Sequence, residues 1–220
     1  HFLKNHNFSA FLGVPLIMRG NSMGAIVLLS SKKEYTKKEV QFIEGISRQV
    51  VIALDKIQTI ERIREMNFES VFALVQAIEM RDIYTKGHSH QVANIALELA
   101  KLFQISEREL ELLRFAGLLH DVGKIGVPEN ILKKPARLNE QESKIMRRHP
   151  VLSAEIINPI RQLREIEKWV LYHHERWDGT GYPEGLQDRN IPFFSRILAI
   201  CDTYSAIVSD RPYRRGLADE

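Results

Sequence analysis

The chain has 220 residues, long enough for one domain of ordinary size and part of a second. Its 31 Lys and Arg against 28 Asp and Glu leave a net charge of +3, too small for the dense basic stripe of a nucleic-acid binder, so DNA and RNA drop out as partners. A single cysteine, Cys201, excludes an internal disulfide and fits a reducing, cytoplasmic compartment, and no apolar run is long enough to span a bilayer.

In chain order, the opening at His1, without a methionine and in mid-pattern, points to a fragment. Apolar runs at 14–18 and 25–29 flank Arg19-Gly20-Asn21-Ser22-Met23-Gly24, which predicts two strands joined by a Gly/Asn turn. A long helical stretch follows from about Lys37. Ile43, Ile46, Val50, Ala53, Ile57 and Ile60 alternate spacings of three and four, as in a coiled-coil seam; the seam is interrupted at Arg64 and Asn67 and resumes in phase at Val71, Leu74 and Ile78. Two readings fit it: an amphipathic helix lying on its own domain, or a parallel dimeric connector carrying a signal from the N-terminal module.

From about residue 67 almost everything reads helical. A helix over 88–103 carries Val92, Ile95, Ala96, Leu99 and Leu102 on one face, and Ser106 with Glu109 forms a capping box for a helix ending in Leu118-Leu119-His120. Asn139 opens a helix running to His149, and another over 163–174 ends in His173-His174. A loop rich in Gly and Pro spans 175–192, and a last helix from about Phe194 carries Ile197, Leu198, Cys201 and Asp202.

Two runs carry chemistry. His120-Asp121 ends the apolar stretch Phe115-Ala116-Gly117-Leu118-Leu119, and a buried charge there needs a partner, of which a metal ion is the simplest. Gly123 lets the chain turn sharply and Lys124 brings a cation back to the same point. His173 and His174 lie about 100° apart on a helix, facing two metals or one metal and a supporting partner. Imidazole with carboxylate and without cysteine suits iron, manganese or zinc in a catalytic role and argues against iron–sulfur clusters and structural zinc. His1, His6 and His90 read as ordinary histidines.

Residues from about 70 to 220 resemble the HD-GYP family, a branch of the HD superfamily of metal-dependent phosphohydrolases. The likeness runs through Arg81-Asp82-x-Tyr84-Thr85-x-Gly87-His88, Leu119-His120-Asp121-x-Gly123-Lys124-Ile125-Gly126, Leu132-x-Lys134-Pro135 and His149-Pro150. It continues through His173-His174-Glu175-Arg176-x-Asp178-Gly179-x-Gly181-Tyr182-Pro183, Ile191-Pro192 and Ser209-Asp210-Arg211-Pro212-Tyr213-Arg214. The hairpin and long helix before it resemble the C-terminal half of a GAF sensor domain. The expected fold is mainly α: an HD-type helical bundle (67–220) behind an α/β GAF-like remnant (1–36) and a connecting helix (37–66). In the family the fold continues past the Asp-Arg-Pro-Tyr-Arg segment, so truncation at both ends is expected.

The resemblance implies hydrolysis of cyclic di-GMP to pGpG or GMP, with two divalent ions, iron or manganese. It makes His88, His120, Asp121, His149, His173, His174 and Asp202 the metal ligands. Asp121 bridges, His120, His88 and Asp202 hold the first ion, and His149, His173 and His174 hold the second. Some family members hold a third ion through an acidic residue four positions before the first histidine; here that position is Tyr84, which favours two. A metal pair activates water for in-line attack on a phosphodiester, with Asp121 and Lys124 as the expected catalytic residues. Lys124, Gly181, Tyr182, Pro183, Arg211 and Arg214 are the expected substrate contacts, the arginines by bidentate phosphate binding. Tyr182 offers a face for guanine, and Trp177 either anchors the loop or stacks on a base. A diguanylate cyclase with a GGDEF domain and a second copy of the chain are the expected protein partners. The alternatives are an HD-type nucleotidase for another cyclic dinucleotide or a mononucleotide, and a non-catalytic module that binds nucleotide or a partner.

Overall fold

The computed structural model describes residues 8–81 and 87–208. The chain divides into two compact units, His1–Asn67 and Phe68–Glu220.

In the first unit, strands β1 (Ala10–Met18) and β2 (Asn21–Ser30) pair antiparallel, with Val14 opposite Ile26. Arg19 and Gly20, both at positive φ (50° and 83°), form the two-residue turn whose twist suits a hairpin. The strands run longer than the apolar runs because the paired backbone takes in residues 10–13 of β1 and 21–24 of β2. Helix α1 (Lys37–Glu79) follows as one unbroken rod of 43 residues, about 65 Å long at 1.5 Å per residue. The interruption of the seam at Arg64 and Asn67 therefore breaks the apolar pattern without breaking the helix. Thr36 starts it: its hydroxyl accepts from the Glu39 amide, and the Glu39 carboxylate reaches back to the Thr36 amide at 2.7 Å. Ser47 donates to the Pro15 carbonyl at 2.9 Å, tying α1 to β1.

The regular elements of the second unit are all helices, α or 3₁₀, among its described residues. Helices α2 (His88–Ala100) and α3 (Glu107–Leu119) pack face to face, with Val92, Ala93, Ala96 and Ala100 against Leu112, Leu113 and Ala116. Gly117 makes the contact close, since a Cβ there would lie 2.6 Å from Ala93 Cα. Ser106 and Glu109 form the capping box that the sequence indicates. A 3₁₀ turn over Val122–Gly126 follows, then the short α4 (Glu129–Leu132), α5 (Glu140–Met146) and α6 (His149–Ile157). A 3₁₀ turn over Arg161–Ile166 leads into α7 (Glu167–Leu171), and α8 (Phe193–Val208) closes the core with Ile197, Leu198 and Cys201.

Three boundaries differ from the sequence reading. The helix expected to run from Asn139 to His149 stops at Met146, and His149 opens a new helix because Pro150 suits a first turn, where its missing N–H costs nothing. The helix expected over 163–174 is a 3₁₀ turn and a five-residue helix, so the histidine pair follows α7 rather than ending it. The helix expected over 88–103 ends at Ala100. No helix among the described residues is long and apolar enough to cross a membrane.

Candidate metal centre

Three histidines are held by one device. His120 Nδ1 meets the Gly117 carbonyl at 2.8 Å, His149 Nδ1 the Met146 carbonyl at 2.8 Å, and His173 Nδ1 the Val170 carbonyl at 2.6 Å. Each carbonyl lies three residues back, near a helix end. A carbonyl only accepts, so each Nδ1 carries a proton and each Nε2 is the atom turned inward. All three rings are buried, His120 and His173 with no exposed surface.

Those Nε2 atoms converge with carboxylates. Ligand atoms of Asp121, His149, His173 and His174 lie within 4.8 Å of one another, as do those of His88, His120 and Asp202. Asp121 joins the groups: its Oδ1 is 3.1 Å from His149 Nε2 and its Oδ2 is 3.4 Å from His120 Nε2. Yet His120 Nε2, Asp121 Oδ1, His149 Nε2 and His173 Nε2 are all buried without hydrogen-bond partners. A buried polar atom left unpaired costs about 1–3 kcal/mol, so four at one point fit a site built for cations. The donor set, imidazole and carboxylate without thiolate, suits a hard or borderline divalent ion.

His88 enters from the first turn of α2. Its Nε2 lies 3.0 Å from Asp202 Oδ1 on α8, and its Nδ1 lies 2.9 Å from Ser205 Oγ, whose own proton goes to Gln91 Oε1 at 2.8 Å. Ser205 therefore accepts from Nδ1 and leaves Nε2 for the site. Glu79, the last residue of α1, accepts from the amides of Gly87 and Ser89 at 2.8 and 2.9 Å and so fixes the backbone on both sides of His88. None of Glu79, Gln91 or Ser205 stands out in the sequence, because only the fold brings them to His88.

The electrostatics follow from this crowding. Burial alone would lower His120, but the Asp121 and Asp202 carboxylates outweigh it and hold the imidazolium up to about 9. Burial would raise Asp121; Lys124 and His120 instead keep it well below the carboxylate range. Asp202 is likewise lowered, against burial, by His88 and His120. Burial, then the neighbouring imidazoles, pushes His173 well down, and burial with His149 brings His174 to about 4, so both are neutral and ligand-competent at pH 7.

Lys124 Nζ is 2.6 Å from Asp121 Oδ2, one turn on, which returns a cation to this point. Gly123 has a different reason from the sharp turn expected of it. A Cβ would meet His149 O at 2.2 Å and Ser153 N at 2.4 Å, so glycine is needed for close approach to α6. On the other side, the Tyr182 ring lies 4.9 Å from the His174 ring, with the Arg147 guanidinium 5.2 Å from it. Gly181 faces the backbone of Glu175 and Arg176, Pro183 is exposed, and Trp177 is 55 % exposed with Arg196 beside it. His90 packs on Phe72, away from both groups of ligands. Tyr84, Arg211 and Arg214 lie outside the described residues.

The sequence pattern of the HD domain family matches residues 73–220, and that of the GAF domain matches residues 1–54. Over 198 residues the chain is 34 % identical to a 3′3′-cGAMP-specific phosphodiesterase of Vibrio cholerae, covering 89 % of this chain and 38 % of that one. Over 152 residues it is 41 % identical to a cyclic di-GMP phosphodiesterase of Thermotoga maritima, covering 67 % and 40 %. The chain thus spans less than half the length of these relatives. The solved structure of an HDG"Y"P protein from Bdellovibrio bacteriovorus has a TM-score of 0.51 at 15 % identity, covering 92 % of this chain and 83 % of that one, a likeness of fold alone.

Proposed function

Because the chain belongs to the HD domain family, in its HD-GYP branch, we propose that it is a cyclic dinucleotide phosphodiesterase that opens cyclic di-GMP to pGpG or GMP with two divalent ions, iron or manganese. The observation that carries this reading is the convergence of unpartnered Nε2 atoms from His120, His149 and His173 on Asp121, whose two oxygens face different histidines.

His88, His120 and Asp202 would hold one ion and His149, His173 and His174 the other, with Asp121 placed between the two groups. Divalent ions held there would supply charge neutralisation for a phosphodiester and a lowered pKa for water. The chain's own residues do the rest. Asp121, ionised at all working pH values, keeps its charge on the centre, and Lys124 sets an ammonium beside it for the phosphate or the departing 3′-oxygen. Gly181 seats the loop that presents Tyr182 and Pro183, with Tyr182 as the stacking face for guanine, and Arg211 and Arg214 take the phosphates. Residues 67–220 form this catalytic domain, 37–66 the connector and 1–36 the GAF-like remnant. The exposed Ile46, Ile57 and Ile60 of α1 pair with a second copy, and a GGDEF-bearing cyclase is the protein partner, in the cytoplasm.

A second reading has one observation in its favour: the Vibrio cholerae relative is named as specific for 3′3′-cGAMP. Metal-loaded protein under anaerobic, reducing conditions, offered cyclic di-GMP, 3′3′-cGAMP and dGTP separately, decides between them. Preferential loss of cyclic di-GMP supports the proposal and preferential loss of 3′3′-cGAMP the second reading. Turnover of dGTP alone, or of nothing, refutes both.

A further inference from the structure

Glu175 is a buried carboxylate with no part in the ligand set. It follows directly on the His173–His174 pair and is 4 % exposed. Its Oε1 accepts from the backbone amides of Glu184 and Gly185 at 2.8 and 3.0 Å, and its Oε2 from that of Leu186 at 3.0 Å. Successive backbone amides turned to one point form a concavity suited to an anion. Here the chain fills it with its own side chain.

Two further contacts fasten the same loop from its other end. Gly181 lies so near that a Cβ would sit 2.5 Å from Glu175 Cα and 2.3 Å from Arg176 N, and the Tyr182 amide donates to the His174 carbonyl at 3.3 Å. The two residues between these fastenings are Tyr182 and Pro183, and they leave the Tyr182 ring 4.9 Å from that of His174. His173 is anchored separately, through the Val170 carbonyl.

We infer that Glu175 is a positioning residue: its carboxylate templates the 181–186 loop and thereby sets Tyr182 beside the metal centre, where it governs how well nucleotide is held. This rests on the reading of Tyr182 as a substrate contact. The three donors require an acceptor on both arms of the side chain. Glutamine has the same size but turns an NH₂ toward at least one backbone N–H, which loosens the loop while leaving the His173 anchor alone.

The test compares wild type, Glu175→Gln, Tyr182→Ala and the double variant as full chains loaded with manganese. Three quantities are read: kinetics on cyclic di-GMP, metal content, and amide exchange. Glu175→Gln is expected to raise KM about tenfold while kcat changes less than about threefold, the pattern of lost binding rather than lost chemistry. Metal content stays at the wild-type level, and the amides of Tyr182, Glu184, Gly185 and Leu186 exchange faster. In the Tyr182→Ala background the substitution adds nothing further to KM, because both act through one ring. An undiminished effect in that background, a fall in metal content together with kcat, or unchanged exchange at those four amides overturns the inference. If the wild type hydrolyses no cyclic dinucleotide, the functional reading fails on its own account, and the exchange comparison still decides whether Glu175 holds Tyr182.

Discussion

Replacing Gly123 by alanine tests the packing that sets the width of the metal centre. The Gly123 amide donates to Ser153 Oγ at 2.8 Å, and a Cβ would meet His149 O at 2.2 Å, Ser153 N at 2.4 Å and Ser153 Oγ at 2.8 Å. The first two are backbone atoms of α6 and cannot swing aside, so α6 must retreat by about 1 Å to restore ordinary contact distances. Adding a methyl to a packed core costs about 1–3 kcal/mol, and clashes with two backbone atoms of α6 place this one near 3 kcal/mol. At about 2–4 °C per kcal/mol for a unit of this size, Tm falls by roughly 6–12 °C. The same retreat draws His149 from Asp121, now 3.1 Å away, so manganese affinity falls at least about tenfold, as it does when ligand support is removed elsewhere. Ser153→Ala is the control: it removes the hydrogen bond, worth about 1 kcal/mol, without demanding space. Thermal melts and equilibrium dialysis against manganese supply both readouts. A Gly123→Ala protein that melts within about 2 °C of wild type and binds manganese equally well refutes this reasoning.

Three further outcomes follow from the local electrostatics. His120, held up to about 9 in the metal-free protein, contributes stability that is complete below its unfolded value of about 6.5 and is lost as pH rises through 9. At pH 7.5 metal uptake must therefore expel its proton, so the calorimetric heat of manganese binding should scale with buffer ionisation enthalpy; a buffer-independent heat contradicts this. Glu39, lowered to about 2 by its bonds to Thr36 and Lys32, stabilises α1 above the unfolded carboxylate value of 4.5 and loses that effect as pH falls towards 2. Wild type and Glu39→Gln should differ in helix melting at pH 6 and converge near pH 2, and a constant difference contradicts the cap. Cys201, buried and raised to about 11 by burial and then by Asp202, should resist iodoacetamide at pH 8 until denaturant is added. Rapid labelling of the native protein would show the core to be open.

Much of the frame is visible in the residues themselves. The Ser106–Glu109 box, the hairpin and the His120-Asp121 run ending an apolar helix are local patterns, and local patterns report local structure. His88, His149 and Asp202 stand out only through the family resemblance, since each is a lone polar residue on a helix. The His88–Asp202 contact joins positions 114 apart. Pro150 misled the helix reading because proline ends one helix and opens the next with equal ease, and only packing decides. Gly123 looks like a turn glycine, but its close approach to His149 is a tertiary fact. Glu79, Gln91, Ser205 and Glu175 act on backbone or side chains that the fold brings to them, and no spacing in the chain announces that.

The proposed function requires seven side chains from separate helices and turns to form one centre for two ions. Metal analysis of anaerobically loaded protein, paired with an Asp202→Ala variant that remains folded by circular dichroism, decides this. About two ions per wild-type chain and about one in the variant are expected, because only the group of His88, His120 and Asp202 is damaged. No bound metal in the wild type, or a stoichiometry that the substitution leaves unchanged, contradicts it.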